Sequence, residues 1–474
     1  MAAITDERLP RKAKLLYGTG DFGFALTDTV IGVLFAIFLT DVVGLAPALA
    51  AAAIFFGRTW DYINDPIIGY ISDRTRSRWG RRRPFLLLGF IPFALGFALM
   101  WIIPPIRDQG WLAVYYGAAF FIYDTFATFV YMPYYALTPE LTEDYDERTN
   151  LTSYRMFFSL VGQLIAFVVP LAIIGSMVPA NGLKVTWTGL CVGLAAALPL
   201  ILVFLGTKER AEHMMQEQPS IKESVKSVFS NRPFFFAVGV FLFTNTAFSI
   251  IQSILLYFLK YHMHLEDQSD LILGTVFVAA LISLPFWVWA SKHWDKRIAY
   301  VIGMVFFSVV MFAMISAEPS WDTTIIYVLA GLAGIGVGAM QVLPWAMIPD
   351  AIEYDELKSG KRHEGTFYSL VTLIGKIDGS VAVPLMLLVL GASGFQANAA
   401  VQPASAILSI RLLTGVAPSV FLVLGILFAL LYPLTRTRHA DLRRQIAERK
   451  GGESIKETPE DKTKTSEVSE TSEV

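Results

Sequence analysis

The sequence predicts an all-α membrane protein with twelve transmembrane helices arranged as two six-helix halves. Three observations predict it. Of 474 residues, 54% are hydrophobic and 16% charged, and mean hydropathy is +0.53; a soluble domain carries about 25% charged residues. The apolar residues gather in blocks of about 20–27, enough for a helix to cross a bilayer. Motifs in the first half of the chain return, in the same order, in the second.

Twelve blocks are found, at approximately 15–40, 46–72, 84–104, 111–137, 152–175, 183–206, 233–259, 270–290, 298–317, 322–348, 366–391 and 408–434. Several contain proline (Pro92, Pro170, Pro285, Pro384), which bundled membrane helices tolerate because neighbours re-satisfy freed backbone groups. Strands alternating apolar and polar are absent, which argues against a barrel. The first block follows Arg8, Arg11, Lys12 and Lys14, is too long for a signal peptide and ends in Thr40-Asp41, so it reads as a permanent helix. A net charge of −2 gives no case for nucleic acid. A single cysteine, Cys191, excludes an internal disulfide framework and a thiolate zinc cage, and the six histidines form no metal motif. No cofactor is expected.

Orientation follows from Lys and Arg. With twelve spans both termini share one side, and 31 of the 38 basic residues fall there. The positive-inside rule places that side in the cytoplasm of the cell (inner) membrane. The halves read as 1–206 and 233–435, joined by a polar cytoplasmic linker at 207–232 and followed by a tail at 436–474, mostly disordered. Arg438 to Lys450 reads as a short basic helix on the lipid surface.

The repeat is seen at Met132–Glu147 (MPYYALTPELTEDYDE) and Leu343–Glu356 (LPWAMIPDAIEYDE), each with two prolines, an aromatic residue and an acidic cluster containing tyrosine. Phe157-Phe-Ser-Leu-Val161 returns as Phe367-Tyr-Ser-Leu-Val371, and Asp73-Arg74 as Asp295-Lys296. Such duplication is characteristic of secondary transporters.

Ionisable residues inside spans cost about 2.5–3.5 kcal/mol each on insertion scales, so they pair or face a cavity. They are Asp21, Asp28, Arg58, Asp61, Asp65, Asp124, Arg155, Lys376 and Asp378, with Asp21 near enough to the terminal side to reach the interface. The densest group lies in span 2, where Arg58, Asp61 and Asp65 share a helical face with Asn64 beside them. Two carboxylates one turn apart repel unless a cation sits between them, and Asp and Asn oxygens suit Na+, Li+ or a proton. Arg58 neutralising both acids is the alternative. Lys376 in span 11 is a further counter-ion, able to hold the acids when the cation is absent. The loop from Gly69 to Arg83 is a positive-inside loop and also reads as a gate clasp built on Asp73, Arg74 and Arg81.

At this point the chain resembles the glycoside–pentoside–hexuronide:cation symporters, the melibiose-permease-like branch of the major facilitator superfamily. Tyr17-Gly-Thr-Gly20, Thr40-Asp-Val-Val-Gly-Leu45, Trp60-Asp-Tyr-Ile-Asn-Asp-Pro66 and Thr75-Arg-Ser-Arg-Trp-Gly80 carry the resemblance, which runs through all twelve spans. It implies that Asp61, Asn64 and Asp65 ligate the coupling cation (Na+ or H+), with Thr128 contributing and Lys376 at the family's span 11 lysine. If the ion is sodium, Asp61 and Asp65 are its carboxylate ligands. It implies a sugar-binding arginine at Arg155 and a threonine near the sugar at Thr372. The family's two sugar-binding acids fall on Ala25 and Tyr131, and two tryptophans on Tyr135 and Gln341, which argues against a galactoside; Asp28 and Asp124 stand near enough to substitute for the acids.

Aromatic faces with charged hydrogen-bonding groups make a sugar site, and Asp28, Tyr131, Tyr135, Arg155, Gln341, Trp345 and Thr372 are the candidates. Arg155 also suits a carboxylate, favouring a sugar acid. The expected function is cation-coupled symport of a sugar, glycoside or uronate into the cell by alternating access, by a monomer in the lipid bilayer. A cation-coupled lysolipid carrier is the runner-up; it requires an apolar cavity open sideways to the bilayer. No enzyme is expected, since no Ser/His dyad, His-Glu-x-x-His motif or phosphate loop is present. Gly334-Ile-Gly336-Val-Gly338 lies in an apolar helix and reads as a packing motif. A membrane sensor is the remaining class, disfavoured by a tail without a recognisable signalling domain.

Overall fold

The computed structural model describes residues 9–142, 145–209, 231–359, 364–439, 441, 442, 444 and 445. Among the described residues the fold is twelve long helices: α1 (11–42), α2 (47–74), α3 (Arg83–Met100), α4 (Gln109–Leu141), α5 (Tyr145–Ile174), α6 (Gly182–Gly206), α7 (Arg232–His262), α8 (Ser269–His293), α9 (Lys296–Ser316), α10 (Thr323–Ser359), α11 (Glu364–Ala392) and α12 (Ala404–Leu431). Ten of these are long and apolar enough to cross a membrane. The other two, α1 and α2, are interrupted. Helix α1 contains π turns at Ile31–Phe35 and Phe38–Val42. Helix α2, expected to be continuous, breaks at Trp60 between Pro47–Thr59 and Asp61–Arg74. Pro66 lies one turn into the second piece and offers no N–H to the ladder.

Starts are set by local chemistry. Asp108, Asn231 and Asp295 each accept a backbone N–H of the first turn of α4, α7 and α9. At α3 the cap comes from afar. The carboxylate of Glu209 accepts the backbone N–H groups of Arg81, Arg82 and Arg83 at 2.5–2.8 Å, an anion at a helix N-terminus. Helices α4, α5 and α10 run beyond their apolar blocks, α10 through the acidic stretch that ends at Ser359.

The duplication is carried into packing. In the first half α1 packs on α5 and α6, α2 on α4, and α3 on α4 and α6. In the second half α7 packs on α11 and α12, α8 on α10, and α9 on α10 and α12. Each pair has its counterpart six helices on. The glycine motif of α10 serves this packing: a Cβ on Gly334 would lie 2.2 Å from the Val276 carbonyl of α8, and one on Gly336 2.5 Å from the Phe307 ring of α9.

The halves meet along α2–α11, α5–α8 and α1–α7. On the face opposite the termini, the ends of α1 and α7 are equivalent π turns, Phe38–Val42 and Phe258–His262. Each is followed by a residue of positive φ, Gly44 at 77° and His264 at 55°. There Lys260 Nζ lies 2.6 Å from Asp41 Oδ2, Tyr261 donates to the same carboxylate, and Thr40 and Tyr257 share a 2.8 Å hydrogen bond. Asn398 donates to the Asp41 carbonyl at 2.7 Å. These bonds lock the two halves together on that face.

The tail begins as a helical stretch at 436–439 that docks on the protein. Arg436 donates to the His293 carbonyl at 2.5 Å, His439 lies 2.8 Å from Glu353, and Leu442 is buried. This corrects the expectation of a helix on lipid at its first turns. Residues 440, 443 and 446–474 of the tail, and linker residues 210–230, lie outside the described residues.

Candidate functional site

The break in α2 puts Asp61 at the start of its second piece, with Asp65 one turn on. Across the seam, α11 presents Lys376. Its ammonium lies 2.8 Å from Asp61 Oδ1 and 2.5 Å from Asp65 Oδ2, bridging both acids. From α4 the Thr128 hydroxyl lies 3.1 Å from Asp61 Oδ1 and 3.2 Å from Asp65 Oδ1; its single proton serves one at a time. The side chains are not sealed: Lys376 is 27% exposed, Asp61 16% and Asp65 21%.

Asn64 turns away from this bridge. It is buried, and its amide lies 3.4 Å from the Asp124 carbonyl and 3.5 Å from that of Thr125. Asp124 is likewise buried, its Oδ2 has no hydrogen-bond partner among the described residues, and it lies within electrostatic reach of Asp61 and Lys376. It stands beside the acid pair of α2. The Lys376 ammonium therefore bridges two carboxylates, with Asp124, a third acid, in the electrostatic field of both Lys376 and Arg58. Arg58 does not cap Asp61 and Asp65. It lies 4.0 Å from Asp28, over the Phe120 ring, and against Gly379 of α11.

The candidate substrate residues fall into two groups. In the first half Tyr131 and Tyr135 stack at 6.0 Å, and the Arg155 guanidinium lies 4.6 Å from the Tyr135 ring centroid. Arg155 is already paired: its Nε donates to Asp21 Oδ2 at 2.8 Å and its Nη1 to Thr138 at 3.2 Å. Asp21 is thus buried against Arg155, not reaching the membrane interface as expected. Asp28 is 80% exposed at mid-depth in α1. In the second half Gln341 and Trp345 lie one turn apart on α10, both exposed, with Trp345 edge-on to Phe241 at 5.0 Å. Thr372 is exposed on α11 and returns its hydroxyl to the Tyr368 carbonyl at 2.9 Å.

Of the gate residues, Arg74 stacks on Tyr70, with 3.8 Å from guanidinium to ring centroid. The Arg81 backbone binds Glu209, at the start of the linker that follows its own half. The side chain of Asp73 lies outside the described residues. The expected clasp across the halves is not formed by Arg74 in this conformation, because its guanidinium is taken up by its own helix.

Sequence reasoning missed the lock at Asp41, Lys260, Tyr261 and Asn398. Its only signal was Lys260 as a lone basic residue near the end of a span on the sparsely charged face.

The profile of the family described as MFS/sugar transport protein matches residues 16–436. An uncharacterized symporter of Synechocystis sp. is 33% identical, over 96% of this chain and 99% of its own. A sodium-dependent lysophosphatidylcholine symporter of Danio rerio is 28% identical, over 92% of this chain and 88% of its own. Among solved structures, a bacterial homologue of the human lysosomal transporter Spinster, in an inward-facing unoccupied conformation, superposes with a TM-score of 0.64 at 14% identity, covering 89% of this chain and 95% of that one. That identity speaks to fold alone. The chain belongs to the MFS/sugar transport protein family of the major facilitator superfamily and is a multi-pass membrane transporter, not an enzyme.

Proposed function

We propose that the protein is a cation-coupled symporter that carries an organic solute into the cell by alternating access, with both termini in the cytoplasm. The observation that carries this reading is the Lys376 ammonium bridging Asp61 and Asp65 across the seam between the halves. A cation entering beside Thr128 takes over both carboxylates and releases the lysine. That removes an ion-paired strut between α2 and α11, so occupancy by the ion alters how the halves are joined. By linkage, a solute that binds better in the released state raises cation affinity by the same factor. Na+ is the favoured ion, supported by the sodium dependence named for the Danio rerio relative; H+ is the other.

The solute we assign is a sugar or sugar acid, of the kind taken by the melibiose-permease-like branch. Support comes from the stacked Tyr131 and Tyr135, the exposed Asp28, and Gln341 and Trp345 on one face of α10. Because Arg155 is held by Asp21, a uronate would have to compete with that carboxylate, so a neutral sugar is favoured.

A second reading, a lysolipid, has its own observation. A cleft of about 390 Å³ lies at the α5–α8 seam, lined by Val168, Leu271, Gly274, Val278, Ala279 and Ile282 among others. It is mostly apolar and matches the sideways opening that a lipid carrier requires. Uptake into proteoliposomes under a Na+ gradient decides. Labelled sugars accumulating, with competition by unlabelled sugars and none by lysophosphatidylcholine, is the expected result. The reverse pattern replaces the substrate and keeps the coupling. Equal uptake with choline in place of Na+, with no imposed proton gradient, refutes coupling to either ion.

A further inference from the structure

Asp378 is an intramembrane acid that the coupling scheme does not use. It lies two residues beyond Lys376 on α11, so its side chain leaves the far side of that helix and faces α7. It is 4% exposed. Its Oδ2 accepts from Asn245 Nδ2 at 3.3 Å and Ser249 Oγ at 3.2 Å, and the Thr246 hydroxyl donates to Oδ1. Asn245 and Ser249 are one helical turn apart, with Thr246 beside them.

The partners of this carboxylate are all neutral. Among the described residues no lysine or arginine forms an ion pair with it, and Arg58, the cation with electrostatic influence on it, lies nearer Asp28 and abuts Gly379. Neutral hydrogen bonds are worth about 1 kcal/mol each net. They offset part of the cost of holding a carboxylate at membrane depth, and among the described residues Arg58, beyond ion-pair distance, is left to balance its charge. All four side chains carry hard oxygens. A hydroxyl rotates and an Asn amide turns over to present oxygen instead of hydrogen. The set then offers a carboxylate, two hydroxyls and an amide carbonyl to an ion of a single positive charge.

We propose that Asp378, Asn245, Thr246 and Ser249 form a second sodium site, in the C-terminal half. It is separate from Asp61 and Asp65 but shares α11 with Lys376, so release of that lysine and filling of this site act on the same helix segment. The proposal does not depend on the assignment of the first site.

The test is binding of radioactive 22Na+ to the purified full-length protein, with Asp378→Asn, Asp65→Asn and the double variant each verified as monodisperse. Asp378→Asn is expected to lower saturating Na+ by about half, Asp65→Asn to remove the other half, and the double variant to bind none. Asp378→Asn binding as much Na+ as the unaltered protein overturns the proposal and leaves the first site standing. Binding lost with Asp378→Asn but untouched by Asp65→Asn upholds it and removes the first. No Na+ bound by the unaltered protein overturns both. If Asp378→Asn fails to fold, Ser249→Ala replaces it. A ligand role predicts weaker Na+ affinity at unchanged stability in choline chloride. A purely structural contact predicts lower stability in choline chloride with Na+ affinity unchanged, and that result overturns the site.

Discussion

Lys376→Ala removes the ammonium that lies 2.8 Å from Asp61 and 2.5 Å from Asp65. Each charge-assisted hydrogen bond is worth about 1.5–3 kcal/mol where water is excluded. The partial exposure of all three side chains screens these bonds, so the ammonium's advantage over water is about 2 kcal/mol in total. A coupling cation has to overcome that advantage to occupy the acids. Without the lysine, Na+ affinity at this site should rise by about 30-fold, since 1.4 kcal/mol is a factor of ten. In the absence of Na+ the two acids face each other unbridged, and the protein should lose about 2 kcal/mol of stability. The assay is a thermal melt in choline chloride titrated with NaCl, read beside 22Na+ binding. The variant should melt earlier than the parent without Na+ and converge with it at high Na+. Concentrative uptake should be lost, because nothing re-pairs the acids for the return of the empty carrier. A folded Lys376→Ala protein that binds Na+ more weakly than the parent refutes the reasoning: the ammonium would then be part of the site's framework, not the ion's competitor.

Other expectations follow from neighbouring features. Asp61→Cys or Asp65→Cys should abolish accumulation against a gradient while leaving a monodisperse protein; continued accumulation would remove the coupling assignment. Asp21→Asn leaves the mostly buried Arg155 guanidinium without its carboxylate and should cost about 3 kcal/mol in a melt, with Arg155→Gln added on top restoring part of the loss. Lys260→Ala should loosen the face opposite the termini and shift the balance of conformers toward opening there by on the order of 30-fold, for about 2 kcal/mol of lost bonding. Spin labels on Ala48→Cys and Ala399→Cys in a Cys191→Ser background would report a longer distance. Val278→Trp fills the α5–α8 cleft, and it should depress lysolipid uptake while sparing sugar uptake if both are carried.

The spans were legible because block length and hydropathy are one-dimensional signals, and the duplication was legible because its motifs kept their order. The break at Trp60 was not, since Trp and Asp61 sit inside an apolar window that averages them away. The acid pair was legible from its spacing on one helix. Its bridge to Lys376 spans more than 300 positions; the lysine was legible as a counter-ion because it is a lone charge inside span 11, but spacing along one helix does not give the rotation of another. For the same reason Asp21 and Arg155, 134 positions apart, read as separate charges. The lock at Asp41 and Lys260 was hidden by the assumption that a basic residue at a span end belongs to the interface; only the π turn that redirects it toward the other half shows otherwise.

The seams α2–α11 and α5–α8 are images of one another under the internal duplication, yet the first carries the acid pair bridged by a lysine, whereas the cleft of the second is lined mostly by aliphatic side chains and glycine, with Asp270 and Thr275 at one end. When two rigid bodies swing about a shared axis, both of their edges move in step. An event confined to the wet edge therefore sets the width of the greasy one with no chain of touching residues between them, as pressing one arm of a pair of tongs moves the other.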